Sequence, residues 1–129
     1  RRDFNVFIAE SAKDGKQILE ENNIEIILTD QRMPKMTGVE FLQSIIKDFP
    51  NPIRILVTGY SDIDAVINAV NKGQIYKYIT KPWNNEVLKT TISQAYEVYS
   101  LRKENKELTK NLLRVNKQLE FMLRQKLIS

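Results

Sequence analysis

The chain has 129 residues, 42% of them hydrophobic and 28% charged, with a formal net charge of +4. That length holds one domain and little more, and the composition is ordinary for a globular chain. Cysteine and histidine are absent, which excludes a disulfide framework, a thiolate metal site, the usual zinc ligand and the usual neutral-pH base, so carboxylates, hydroxyls and amines must carry any chemistry.

Asn5 to Ala9, NVFIA, reads as a short buried strand. Ser11 with Asp14 three residues on is a capping-box-like start to a short helix with Ile18 and Leu19 inward. Ile24 to Thr29, IEIILT, reads as the next strand, and its apolar run predicts burial on both faces, as in a parallel sheet. Asp30 follows, and Pro34 forbids the ladder from continuing. Thr37 with Glu40 predicts a second capping box, and Val39, Leu42, Ile45, Ile46 and Phe49 give that helix one apolar stripe.

Ile53 to Thr58 is the next strand, closed by Gly59. Ser61 with Asp64 predicts the cap of a third helix, with Ile63, Val66, Ile67 and Val70 inward and Gly73 at its end. Asp62 and Asp64 read as helix-start residues without chemistry. Ile75 to Thr80 is the last strand, followed by Lys81 and Pro82. Trp83 reads as packing on the final helix, which Asn84 opens with Leu88, Thr91, Ile92 and Ala95 inward. Alternating strands and helices with short connections predict a doubly wound α/β domain with a parallel sheet.

The final helix continues past the end of that domain. Val98, Asn105, Leu112 and Leu119 take heptad position a, and Leu101, Leu108, Val115 and Met122 take d. A single Asn at an a position favours a parallel two-stranded register, so the expected partner along this seam is a second copy of the chain. Leu113, Phe121, Leu123, Leu127 and Ile128 lie off the seam. The basic charge also sits here: residues 100–129 hold 8 Lys and Arg against 3 acids, whereas residues 1–99 hold 12 against 13. The basic residues are interleaved through the heptads with no block ahead of them, so direct nucleic-acid binding is not expected. No apolar run is long enough to cross a bilayer or to serve as a secretory signal, and the expectation is a cytoplasmic chain.

Asp30 and Thr58 end two strands and Lys81 follows the last. In a parallel sheet all three reach one edge, the carboxyl edge, where open α/β sheets bind ligands. A carboxylate, a hydroxyl and an ammonium suit a phosphoryl group: Asp30 as nucleophile, Lys81 and Thr58 on the phosphoryl oxygens.

TDQRMPKMTG, VTGYSD and YKYITKPW together resemble the receiver domain of two-component response regulators, over residues 5 to about 98. The resemblance implies a flavodoxin-like fold with strand order 2-1-3-4-5. It implies that Asp30 accepts a phosphoryl group from a partner histidine kinase. Thr58 would be the switch hydroxyl, Lys81 the lysine of the site, and Tyr78 the aromatic that rotates inward on activation. Asp30 and the backbone carbonyl of Arg32 would be Mg²⁺ ligands, and the Lys81–Pro82 bond is often cis in this family.

The chain departs from that pattern at its start. A receiver opens with an apolar strand ending in an acidic pair that holds Mg²⁺, followed by a helix. Here Arg1-Arg2-Asp3-Phe4 resembles only the end of that helix, and Asp3 precedes a strand instead of ending one. The absent strand would lie between NVFIA and IEIILT, and its loss would leave buried backbone groups unpaired at about 1–3 kcal/mol each. The reading favours residues omitted ahead of Arg1, over direct pairing of the two strands or a swapped strand from another chain. Residues 1–98 are thus expected to form a receiver domain lacking its first strand and most of its first helix, and residues 99–129 a coiled-coil extension leading to an output module. Mg²⁺ is expected only if the acidic pair is supplied. A phosphoacceptor domain is not an enzyme in its own right. The alternatives are a dimerisation scaffold with a degenerate site and an Asp-nucleophile phosphatase. The phosphatase would want a second Asp where Arg32 stands.

Overall fold

The computed structural model describes residues 4–128, and side chains as far as residue 126. Asp3, the two arginines before it, and the side chains of Leu127 and Ile128 lie outside the described residues. The described elements run α1 (Ala12–Glu21), β1 (Ile26–Asp30), α2 (Gly38–Ile45), β2 (Ile53–Thr58), a 3₁₀ turn (Tyr60–Asp62), α3 (Ile63–Asn71), β3 (Lys77–Thr80) and α4 (Asn85–Ile128). The strands form one parallel sheet in the order β1-β2-β3, with Asp30 opposite Val57 and Thr58 opposite Thr80. Parallel strands joined by helices give the doubly wound α/β architecture expected from the sequence.

β2 is central, and all six of its residues are buried. Its alternate residues supply two cores. Leu56 joins Leu19 of α1, Phe41, Leu42 and Ile45 of α2, and Val66 and Ala69 of α3 on one face. Ile53 and Ile55 join Ile79, Ala95 and Tyr99 on the other, under the first turns of α4. Buried Arg54 closes the start of β2 by donating to the carbonyls of Pro50, Pro52 and Gln74. That is how a charged side chain survives in an otherwise apolar strand.

The helix ends obey local chemistry. The Ser11 hydroxyl accepts the Asp14 N–H at 3.1 Å. Thr37 and Glu40 form both halves of the α2 capping box. At the end of α3, Gly73 takes φ +74°, its N–H reaches the Val70 carbonyl, and the Gln74 N–H reaches that of Ala69. This is the Schellman pattern, and it requires a left-handed residue there.

Several expectations fail. Residues 5–9 form no strand, and Val6 and Ile8 are 78% and 84% exposed. A strand exists only where a neighbour accepts its ladder, and this segment has none among the described residues. For the same reason β1 is not buried on both faces: Leu28 is 43% exposed. Between residues 4–9 and β1 lies an open groove of about 960 Å³, floored by α1 and lined by Ile26, Leu28, Phe41 and Tyr96 among others. Ser61 does not cap α3. It lies in the 3₁₀ turn, and the helix begins after Asp62 without a side-chain cap. Ile67 faces outward, while Ala69, left out of the expected stripe, is buried. Trp83 is 48% exposed and does not serve as core.

The chain divides into two compact units, the first ending at Tyr99 and the second starting at Ser100. In the first, Val98 packs against the Ile53 cluster, so the opening a residue of the heptad belongs partly to the domain core. In the second, Leu101, Leu108, Leu112, Val115, Leu119 and Met122 are all exposed, as are the off-seam Leu113, Phe121 and Leu123.

Candidate functional site

β1 delivers Asp30 to the carboxyl edge, and the chain then turns back over it. The Gln31 N–H donates to the Val57 carbonyl at 2.8 Å, and the Arg32 N–H donates to Asp30 Oδ1 at 3.1 Å. Gln31 is buried, and its side-chain oxygen accepts the Val39 N–H at 3.0 Å, so it also caps α2. Gly38 closes the loop. Its N–H reaches the Gln31 carbonyl at 2.9 Å, and a Cβ there would stand 2.5 Å from the Asp30 carbonyl oxygen and 2.6 Å from Leu56. Only glycine lets the helix start this close to the strand end. Gly38→Ala is therefore expected to destabilise the fold by about 1–3 kcal/mol through overpacking. Gly59→Ala, where an added Cβ meets nothing within 4 Å, should change stability little. Chemical denaturation of both variants checks the contrast.

β2 delivers Thr58, wholly buried, whose hydroxyl donates to the Gly59 carbonyl at 3.2 Å. β3 leads to Lys81, whose N–H donates to the Thr58 carbonyl at 2.8 Å and whose Nζ donates to Asp30 Oδ2 at 2.5 Å. The Lys81–Pro82 bond is cis. The structure thus brings Asp30, Thr58 and Lys81 to one edge, with Lys81 already on the carboxylate. Tyr78 sits apart, half buried in β3 against the Leu56 cluster.

Burial acts to raise the Asp30 pKa. The Lys81 hydrogen bond, the Arg32 N–H, the Lys81 charge and the Gln31 N–H outweigh it, and the carboxyl lies below its ordinary 3.8. A depressed carboxylate stabilises the fold at pH values above the unfolded pKa, and that stability is lost as pH falls through the folded pKa. The Asp30–Lys81 tie should therefore outlast an ordinary carboxylate as pH falls, giving way only as pH passes through the depressed Asp30 pKa. In a carboxyl NMR titration the Asp30 midpoint is expected under 3.8, and Lys81→Ala should raise it.

Sequence reasoning missed Gln31, Gly38 and the partner of Arg32. The Arg32 guanidinium reaches the turn after β2, with Nε 3.1 Å from Asp62 Oδ2 and Nη2 3.2 Å from Ser61 Oγ. Asp62 thus has a role beyond starting a helix.

The Mg²⁺ expectation meets an incomplete donor set. Among the described residues no group of three His, Cys, Asp or Glu side chains could hold a metal ion. Asp30 and the Arg32 carbonyl are the assigned donors, and both Asp30 oxygens already accept hydrogen bonds. Mg²⁺ wants near-octahedral oxygen ligation, and these residues do not provide it by themselves. No helix among the described residues is long and apolar enough to cross a membrane.

Comparison with known proteins agrees with this geometry. Hydrogenase transcriptional regulatory protein HoxA of Bradyrhizobium diazoefficiens is 40% identical over 104 residues, 81% of this chain and 21% of that protein. HoxA of Cupriavidus necator is 40% identical over 100 residues, 78% of this chain and 21% of its own length. The chain therefore spans about a fifth of these relatives. Among solved structures, the adenylate cyclase from Rhodopirellula baltica superposes with a TM-score of 0.81 at 30% identity, covering 84% of this chain and 81% of that one. A response regulator receiver domain protein from Clostridium thermocellum superposes at 0.67 with 34% identity, covering 72% and 75%. The response regulator receiver domain profile matches residues 1–93, and with the parallel sheet and its three polar strand ends this establishes that the chain belongs to the receiver domain family.

Proposed function

We propose that Asp30 accepts a phosphoryl group from a phosphohistidine of a partner kinase. One Asp30 carboxylate oxygen attacks phosphorus, the P–N bond breaks, and its electron pair leaves with the imidazole, protonated at its other ring nitrogen, as neutral histidine. Lys81 then pairs with a phosphoryl oxygen, and the Thr58 hydroxyl turns from the Gly59 carbonyl to another. The observation that carries this is Lys81 Nζ seated on Asp30 Oδ2, with the Thr58 hydroxyl at the neighbouring strand end. Tyr78 moves inward as Thr58 shifts. Asp30 and the Arg32 carbonyl would hold Mg²⁺ only with further acidic ligands supplied, and the ion would offset phosphate charge. A strand seated in the groove beside β1 would pair that edge and cover Val6 and Ile8.

The change passes along α4 to an output module, through a parallel dimer joined at the heptad seam of residues 98–122. The chain acts as a cytoplasmic signalling domain and not as an enzyme. It meets neither membrane nor nucleic acid directly. A second reading, a dimerisation scaffold with a degenerate site, is favoured by the lack of a three-ligand acidic cluster among the described residues.

The test is intact mass after incubating the full-length protein with acetyl phosphate and Mg²⁺. The proposal expects one added phosphoryl group, absent from Asp30→Asn. No addition to the parent protein would favour the scaffold.

A further inference from the structure

We propose that the Arg32 guanidinium is a further phosphoryl ligand, held in reserve by Asp62 and Ser61 until Asp30 is modified. This rests on the phosphoacceptor reading of Asp30. Arg32 is bound to the site at one end: its N–H donates to Asp30 Oδ1. At the other end its guanidinium is spent on the turn after β2, on the Asp62 carboxylate and the Ser61 hydroxyl. The Arg32 side chain is 75% exposed, so this ion pair is screened by water and weak. A phosphoryl group on Asp30 would put a second negative charge within the same residue's own tether. Guanidinium binds such an oxygen fork bidentately, and the tether keeps its effective concentration high. The weak tie should therefore yield to the stronger one.

The release has a structural consequence. Asp62 is the N-cap residue of α3, yet it makes no side-chain cap bond. Its carboxylate is engaged by Arg32 instead. Its N–H donates to the Gly59 carbonyl at 3.2 Å, the same carbonyl that holds the Thr58 hydroxyl. When Thr58 and Arg32 both turn to the phosphoryl group, the turn loses two ties together. The Asp62 carboxylate is then released at the 3₁₀ turn that leads into α3, where the Ile63 N–H already donates to the Tyr60 carbonyl. Phosphoryl binding and release of the turn ahead of α3 become one coupled event.

The test compares the full-length protein with Asp62→Asn and Arg32→Gln, using beryllofluoride with Mg²⁺ as the phosphoryl mimic. Asp62→Asn frees the guanidinium and should tighten binding by about fivefold, the order of one surface ion pair. Arg32→Gln removes the ligand and should weaken binding by a similar factor, and Arg32→Lys should recover only part of it. Opposite signs from the two partners of one salt bridge are the mark of a reserve ligand, since a merely structural bridge would move both the same way. In the parent protein the Arg32 Nε–H resonance should shift when the mimic binds. Equal signs, or an unmoved Arg32 resonance, would overturn the proposal and leave the Asp30 reading intact. Failure of the parent protein to bind the mimic would overturn both.

Discussion

Replacing Lys81 by alanine is expected to slow phosphoryl uptake at Asp30 by about two to three orders of magnitude, the usual cost of deleting one preorganised group that meets developing charge. The reason is electrostatic. Among the described side chains Lys81 is the cation hydrogen-bonded to the Asp30 carboxylate. Phosphoryl transfer asks a protein for little beyond placement and charge neutralisation. The Lys81 backbone N–H, which ties β3 to the Thr58 carbonyl, survives the substitution. With its side chain 39% exposed, the fold should lose little. Arginine is not an equivalent replacement, because its planar fork needs more room than a point charge. The check is the rate of mass addition from acetyl phosphate, with the thermal midpoint measured alongside. Undiminished uptake would show that Lys81 is only a structural partner.

Leu112→Glu is expected to convert a dimer of the full-length protein into monomer at micromolar concentration. Leu112 takes an a position in the middle of the extension and is 61% exposed in the single chain. In a two-stranded coil it would be buried twice, once per copy. Losing one buried leucine costs about 2–5 kcal/mol, and two glutamates facing each other add repulsion. Asn105→Leu should act in the opposite direction, raising thermal stability while admitting more than one oligomeric state. Light scattering of the three forms decides between them. An unchanged mass for Leu112→Glu would show that the exposed stripe has another occupant.

The meeting of Asp30, Thr58 and Lys81 at one edge was legible because each of them ends or follows a strand. Apolar runs that stop at Asp30, at Thr58 and just before Lys81 announce their own edges, and parallel pairing does the rest. The capping residues Ser11, Thr37 and Gly73 were legible because caps are local. Asn5 to Ala9 misled because strand identity is not local: NVFIA has the composition of a strand, but a ladder needs a neighbour. Ile67 and Ala69 show the same dependence in a helix, where the neighbours choose which side of the stripe turns inward. Arg32 and Asp62 lie 30 positions apart, and no periodicity joins them. Gly38 was invisible for a similar reason, since its lack of a Cβ matters only once Asp30 and Leu56 are folded against it.

The most direct measurement is a crystal structure of the full-length protein with beryllofluoride and Mg²⁺. The account predicts the mimic bonded to an Asp30 oxygen, with Lys81 Nζ and the Thr58 hydroxyl on its fluorines and the Thr58 bond to the Gly59 carbonyl broken. A mimic bound away from Asp30, or a Thr58 hydroxyl still on Gly59 with Asp30 occupied, would contradict it.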